Sequence, residues 1–534
     1  MDIWLLIGAG ALLAVCLLPR FLARAIRRRL GGYVVCVNQP NQNQPLRSSE
    51  PKSVAVIGAG LAGLQAAHAL AERGYRVCLL EKAHYLGGKL GSWPVELEPG
   101  RKVQVSHGFH AFFKHYHNLN RFLDTFGARQ GLRSIGDYVI LSQDGREQRF
   151  ARLPKTPVFN LLGMLFAGSF SLKDALRAPG RDCYGIFLEY DQGATFSSFD
   201  DLSYADFVRR AQLPRSLELA FGTFGRAFFA SSDRLSLAEL VKAFHFYYLS
   251  HDGGLVYDFP TDDYDTWLLM PLRRKLTELE VEIQLGRSVA QLERTANGFL
   301  VDGRAFDRVV LATDAASAAT LLATSRGFSA ELPAQVAPQA GQRYAVWRIW
   351  VDRDLRPELP VFVITEKIRA LDSVTAFHRF ERSTQVDVAG RSEAVLELHS
   401  YAVPDDLTGE QVRPALLADL LWYFPELRSM NIRHESFQLR SDFTAFHVGQ
   451  FEKRPGTHVG VPGFYCAGDW VKLPFPAMLL EAACASGLAA ANAVLELDGL
   501  RPEPIYSVPL RGLMAGVPAP PGRARTLRAS AGAR

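Results

Sequence analysis

Residues 53–81 read SVAVIGAGLAGLQAAHALAERGYRVCLLE. A short β-rich apolar run, 53–57, leads at once into Gly58-Ala59-Gly60-Leu61-Ala62-Gly63, and residues 61–73 carry the apolar spacing of a helix. Residues 75–80 then read as a second strand that ends at Glu81. This order of strand, glycine turn, helix, strand and acidic residue is the dinucleotide fingerprint. Each glycine has its own reason. Gly58 makes the tight turn, Gly60 lets the backbone approach a pyrophosphate at the helix N-terminus, and Gly63 lets the helix lie close on the strand. Glu81 is placed to accept hydrogen bonds from ribose hydroxyls. The fingerprint alone does not choose between NAD and FAD.

Working outward, Tyr85-Leu86-Gly87-Gly88-Lys89 supplies a second glycine turn, where a longer cofactor would continue past its pyrophosphate. Near the other end, residues 464–467 (FYCA) read as a buried strand running into Gly468-Asp469, and residues 477–492 (AMLLEAACASGLAAAN) as a helix of small residues that lets its backbone approach something closely. Residues 289–292, 299–301 and 308–313 form a strand-rich return to the nucleotide fold. The expected fold is therefore α/β, a Rossmann-type domain split in sequence around an inserted α+β substrate domain. The expected boundaries are a membrane anchor at 1–30, a linker at 31–52, nucleotide-binding parts at 53–115, 276–325 and 456–498, substrate parts at 116–275 and 326–455, and a basic flexible tail at 499–534.

The chain has 534 residues, 48% hydrophobic and 22% charged, which excludes a small binding module, a disordered chain and a wholly membrane-embedded one. Its net charge of +5 comes from arginines at the two ends, among them Arg24, Arg27, Arg28, Arg29, Arg511 and Arg523; without the terminal arginines the body is net acidic, which argues against nucleic acid as a partner. Six scattered cysteines with no CxxC pair indicate neither a disulfide framework nor a zinc knuckle. No GxSxG elbow, HExxH or P-loop is present. Residues 3–18 (IWLLIGAGALLAVCLL) are free of charge and followed by an Arg cluster. With Arg20 and Arg24 snorkelling, they predict one N-terminal transmembrane helix with the body on the cytoplasmic side. A cleaved signal peptide is disfavoured because no basic residue precedes the apolar run.

Several longer stretches narrow the reading. Residues 105–120 (VSHGFHAFFKHYHNLN), 150–157 (FARLPKTP), 220–230 (AFGTFGRAFFA), 235–250 (LSLAELVKAFHFYYLS) and 468–492 (GDWVKLPFPAMLLEAACASGLAAAN) resemble the isorenieratene synthase family. That family of carotene desaturase/methyltransferases lies within the flavin amine oxidase and phytoene desaturase superfamily. The resemblance implies FAD as cofactor, with Gly58, Gly60, Gly63 and Glu81 on its ADP half and Gly87, Gly88 and Lys89 bordering the pyrophosphate and flavin. It implies Val289 facing the adenine and Gly468 and Asp469 at the ribityl-phosphate, with Ala477 and Met478 counted in the same cofactor site. It further implies aromatisation of a β-ionone ring with a shift of one methyl group, a lipophilic carotenoid as substrate, membrane lipid as surroundings, and a quinone or another electron acceptor. Two departures stand out: Leu480-Glu481-Ala482 replaces the usual Met-Glu-Arg, and Lys89 replaces an Arg.

His107, His110, His115 and His117 lie among Phe109, Phe112, Phe113 and Tyr116, unlike the hydrophilic shell of a metal site. His107 or His110 beside aromatic faces is the expected proton-handling group, and Glu481 is the next candidate. Residues 243–249 (AFHFYYL) are either plain core or a tunnel lining for a polyene. Two alternatives stay open: an FAD enzyme acting on another lipophilic substrate, as a desaturase, a cis-trans isomerase or an amine-oxidase-like enzyme, and a flavin-carrying membrane protein without turnover.

Overall fold

The computed structural model describes residues 21–151, 153–166, 171–226, 228–336 and 341–528. At its centre is a five-stranded parallel sheet, ordered Glu282–Leu285, Arg76–Glu81, Ser53–Ile57, Arg308–Leu311, Phe464–Cys466. Strands Ser53–Ile57 and Arg308–Leu311, and Phe464–Cys466 at the sheet edge, are buried on both faces, which is why SVAVI, RVVL and FYC read as largely apolar runs. The edge strand Glu282–Leu285 is half-buried and alternates in polarity, and the sequence reading passed over it. The segments 289–292 and 299–301 do not join this sheet. They contribute to a separate three-stranded antiparallel sheet, Leu292–Thr295, Gly298–Val301 and Arg304–Phe306, lying on its flank.

Helix Leu61–Glu72 follows the first strand and packs along helix Leu479–Leu497. A Cβ at Gly487 would come within 2.1 Å of the Ala62 carbonyl oxygen. The small residues of the second helix thus serve the contact between the two helix backbones. Leu479–Leu497 is also, among the described residues, the one helix long and apolar enough to cross a membrane, and most of it is core. The predicted N-terminal anchor falls largely on residues 1–20, outside the described residues.

The substrate part is built on a seven-stranded sheet, ordered Ile432–Arg440, Tyr344–Val351, Ala394–Ser400, Ser373–Ala376, Phe362–Thr365, Val139–Leu141, Glu147–Arg149. One face of it packs with helix Gly409–Tyr423 into an aliphatic core. On the other face, Arg348, Val395, Glu397 and His399 follow the two-residue period of their strands. Helices between residues 159 and 249 close the opposite side, and Leu237–Phe244 runs on into a π-helical turn, His245–Leu249.

Two expectations about the ends are corrected. The segment 31–52 is no free tether: Val35–Cys36 pairs antiparallel with Tyr506–Ser507, and the Asn38 amide bonds both the Glu503 carbonyl and the Ile505 N–H. The tail is likewise laid down through residue 528. The buried Arg523 guanidinium pairs with Glu189, and Arg511 with Asp191, so arginines that looked like solvated tail charges are docking groups.

Candidate active site

One cavity of about 1200 Å³ runs from the parallel sheet to the seven-stranded sheet. It exceeds the roughly 300–1,000 Å³ usual for a single small ligand. At its first end the strand Ser53–Ile57 delivers the glycine turn. Gly58 has φ +104°, and a Cβ there would stand 2.6 Å from the Ala312 carbonyl oxygen; at Gly63 a Cβ would stand 1.9 Å from the Gly58 carbonyl oxygen. Both positions admit only glycine. Gly60 differs: its φ is −71°, and a Cβ would meet no protein atom within 4 Å. The room above Gly60 is cavity, so its lack of a side chain serves whatever occupies that cavity.

Helix Leu61–Glu72 begins at Gly60 with no side-chain cap, leaving the N–H groups of its first turn for a ligand. The second turn lies directly against it. Gly87 N–H donates to the Ala59 carbonyl (2.8 Å), and a Cβ at Gly88 would stand 3.0 Å from the Gly60 Cα. Glu81 sits at the end of its strand and accepts from Ala59 N–H (2.7 Å) and Ala83 N–H (2.8 Å), so it rigidifies the turn while its remaining lone pairs face the cavity. Val289 lines the same end, and Gly468 and Asp469 line the opposite flank, where Gly468 N–H donates to Ser486 Oγ. Lys89 Nζ donates to the Asp442 carbonyl (2.7 Å) and sits 4.4 Å from the Phe443 ring centroid.

Three assigned residues are not on this cavity. Ala477 and Met478 are buried just before the helix, and Leu479, Leu480 and Ala483 form the wall instead. Leu479 holds φ +48°, a left-handed conformation that costs a leucine of order 1 kcal/mol or more. Glu481 points away from the cavity. Its carboxylate accepts from Asn118 N–H (2.9 Å), Asn118 Nδ2 (2.7 Å) and Leu119 N–H (3.0 Å), tying helix His117–Thr125 to the C-terminal helix. Burial pushes its pKa up to about 8 against those donors. It is a structural group.

His107 and His110 do line the cavity. His107 Nδ1 is 3.3 Å from the Tyr344 hydroxyl, and burial, with Arg440 nearby, pushes its pKa down to about 2. His110 Nδ1 is 2.8 Å from the Gly108 carbonyl, and burial outweighs that bond to bring it to about 4. Both rings are neutral at physiological pH. His115 is fully buried away from the cavity, against Phe246 and Tyr247. The far compartment is walled by rings: Phe109 stacks on Phe362 (4.8 Å), Tyr138 on Phe150 (4.2 Å), and Phe229 on Phe443 (3.7 Å). Tyr247 and Tyr248 of the π-helical turn complete it, so residues 243–249 supply both core and lining. Sequence reasoning missed His399, Tyr344, Tyr401 and Asp442 on this wall. The signal for His399 was present in AVLELHS, where Glu397 and His399 fall on one face of an otherwise apolar strand.

Comparison with known proteins decides what the two adjoining compartments belong to. Residues 61–495 match the family described as flavin containing amine oxidoreductase. The chain is a member of that family. A carotenoid phi-ring synthase of Streptomyces griseus is 34% identical over 88% of this chain and 92% of its own length. Another, from Chlorobaculum tepidum, is 28% identical over 87% and 92%. This places the flavin oxidoreductase in the isorenieratene synthase branch that its sequence resembles. An oxidoreductase structure from Methanosarcina mazei shares the fold, with a TM-score of 0.59 at 18% identity, over 82% of this chain and 99% of that one. The enzyme is an FAD-dependent oxidoreductase, and its residues fit the cofactor: a side-chain-free cradle at Gly60 and Gly88, uncapped helix N–H groups for the pyrophosphate, and a carboxylate at the ribose end. When bound, FAD supplies a two-electron acceptor.

Proposed function

We propose that this FAD-dependent oxidoreductase acts on a carotenoid, and that it aromatises a β-ionone ring with migration of one methyl group. The observation that carries the reading is the continuity of the cavity from the glycine turns into an aromatic-walled compartment. A carotene offers no ionisable handle, so recognition falls to shape and apolar burial, with few polar groups at the reacting ring. The relatives named phi-ring synthase support the same substrate class. A ring with two methyls on one carbon cannot become aromatic until one of them moves. The migrating group leaves positive charge on the ring, which the faces of Phe229, Phe443 and Tyr401 are suited to bear.

The chain's own contribution is positioning and exclusion of water. Gly60, Gly88 and the first turn of helix Leu61–Glu72 hold the cofactor, and neutral His107 and His110 shape the ring site. Anaerobic addition of β-carotene to the purified holoenzyme tests the proposal: flavin absorbance bleaches, and the product loses four hydrogens for each aromatised ring. Bleaching without an aromatic product refutes aromatisation, and turnover with no net bleaching marks an isomerase instead.

Membrane association belongs to the same proposal. Phe21, Leu22, Leu162, Phe166, Leu172 and Leu176 are exposed on residues 21–29 and helices Phe159–Phe166 and Leu172–Arg177. Exposed Arg24, Arg27, Arg28 and Arg29 stand on the first of these segments, suited to anionic headgroups. In this reading the body lies on the cytoplasmic side, and a quinone or another electron acceptor reoxidises the flavin. Protection of the body from protease in vesicles with the cytoplasmic side outward would overturn this topology.

A further inference from the structure

A desaturation releases a hydride and a proton from neighbouring carbons, and the flavin accounts for the hydride alone. In a water-poor cavity the proton needs an acceptor whose new charge is compensated. Three histidines line the cavity among the described residues: His107, His110 and His399. His107 and His110 sit beside a tyrosine hydroxyl and a backbone carbonyl, and neither ring is hydrogen-bonded to a carboxylate among the described residues; Glu397 acts on His110 only through space.

His399 is built differently. Its Nε2 is 2.8 Å from Oε1 of Glu397, two residues away on the same face of strand Ala394–Ser400. Glu397 is fully buried and held from two further sides. Phe109 N–H donates to Oε1 (2.9 Å), and Arg348 donates to Oε2 from Nε (2.9 Å) and Nη2 (2.7 Å). Burial alone would protonate this carboxylate, yet the Arg348 guanidinium brings its pKa down to about 2, so it stays ionised. Arg348 is itself fixed, 3.9 Å over the Phe377 ring and bonded to Ser106 Oγ. Gly108 makes the room: at φ +121°, a Cβ there would stand 2.8 Å from the His399 ring. With Nε2–H committed to Glu397, Nδ1 is the ring's acceptor, and it has no hydrogen-bond partner among the described residues.

We propose that His399, oriented by Glu397 and Arg348, is the proton acceptor for ring oxidation in this cavity. The inference rests on the carotenoid reading above. In the plain desaturation step the C–H bond on the carbon next to the hydride donor breaks, its electron pair forms the new C=C bond, and its proton goes to Nδ1 of His399, while bound FAD would take the hydride. In the step with methyl migration the hydride leaves the ring carbon beside the gem-dimethyl carbon, the methyl moves onto that carbon with its bonding pair, and the same carbon then gives its remaining proton to Nδ1 as its C–H pair closes the last C=C bond. Glu397 then neutralises the imidazolium. His399 touches the substrate compartment, whereas Glu397 and Arg348 are positioning residues.

H399Q, whose amide can still donate to Glu397, tests this in the holoenzyme. It is expected to retain the flavin spectrum and to bind β-carotene, while the single-turnover rate of flavin bleaching by β-carotene falls by about 10²-fold or more. H399A is expected to behave likewise and to regain at least tenfold of its bleaching rate in added imidazole, a response that a merely structural defect would not give. Bleaching by H399Q within threefold of the wild-type rate overturns the assignment. Should H399Q fold without flavin, H399A decides: rescue by imidazole supports the role, and its absence refutes it. If the wild-type enzyme itself is not bleached by β-carotene, the carotenoid reading fails and the inference falls with it, an outcome distinct from loss in the variants alone.

Discussion

Gly60 is the residue at which cofactor retention separates from folding. Its extended backbone accepts any side chain and no protein atom would meet a Cβ, so a branched side chain there collides only with the cofactor. Gly60→Val is expected to keep the wild-type far-UV circular dichroism and lose more than nine-tenths of bound flavin absorbance; a full flavin spectrum would contradict the assignment of the turn. Glu481→Ala should do the reverse. It strips two backbone N–H groups and an amide of their acceptor, and is expected to cost about 3 kcal/mol in urea unfolding while single-turnover chemistry persists. At this scale the glycine positions were legible because a local motif dictates them. Glu481 was misread because adjacency to the flavin-binding helix says nothing about which side of that helix a residue faces. The His399–Glu397–Arg348 contact was invisible for another reason: Arg348 comes from a neighbouring strand, and only the sheet register sets it opposite Glu397.

Among the elements, the strands of the nucleotide sheet were readable wherever burial on both faces left an apolar run. The edge strand Glu282–Leu285 and the pair Val35–Cys36 with Tyr506–Ser507 were not, since short, half-exposed strands carry little hydrophobic pattern and depend on a distant partner. Side-chain amides do at the N-terminal segment what apolar side chains do in the core. Asn38→Ala removes an acceptor for Ile505 N–H and a donor to the Glu503 carbonyl, and is expected to cost about 2 kcal/mol by urea denaturation. No change in midpoint would mean that this segment is not docked in solution. Deleting residues 1–29 leaves the Val35–Cys36 pairing in place and should give a protein that still folds and binds FAD.

For the molecule as a whole, buried histidines set the response to acid. Burial lowers the pKa of His68, His110, His117 and His245 to about 4 and of His107 to about 2, and holds that of His115 well below its ordinary value. Their ordinary value is 6.5, so between pH 6.5 and about 4 the unfolded chain takes up protons that the folded one refuses. Stability from these groups is complete above pH 6.5 and is lost as pH falls, by up to about 1.4 kcal/mol per pH unit for each histidine. Urea midpoints at pH 7.5, 6 and 5 should fall steeply, and a flat profile would mean that these rings are solvated. The clip between Val35–Cys36 and Tyr506–Ser507 has a mechanical meaning of its own. Residues 30–34 are all that separate the helix at 21–29 from the clip, and at full stretch they reach about 18 Å. Ile26, Leu30 and Tyr33 take up even that slack by packing on Val158, Phe159 and Leu513. Whatever surface grips residue 21 is therefore moored hard against the body, at a fixed height and heading. A greasy substrate leaving such a surface would meet the same flank of the enzyme at every encounter.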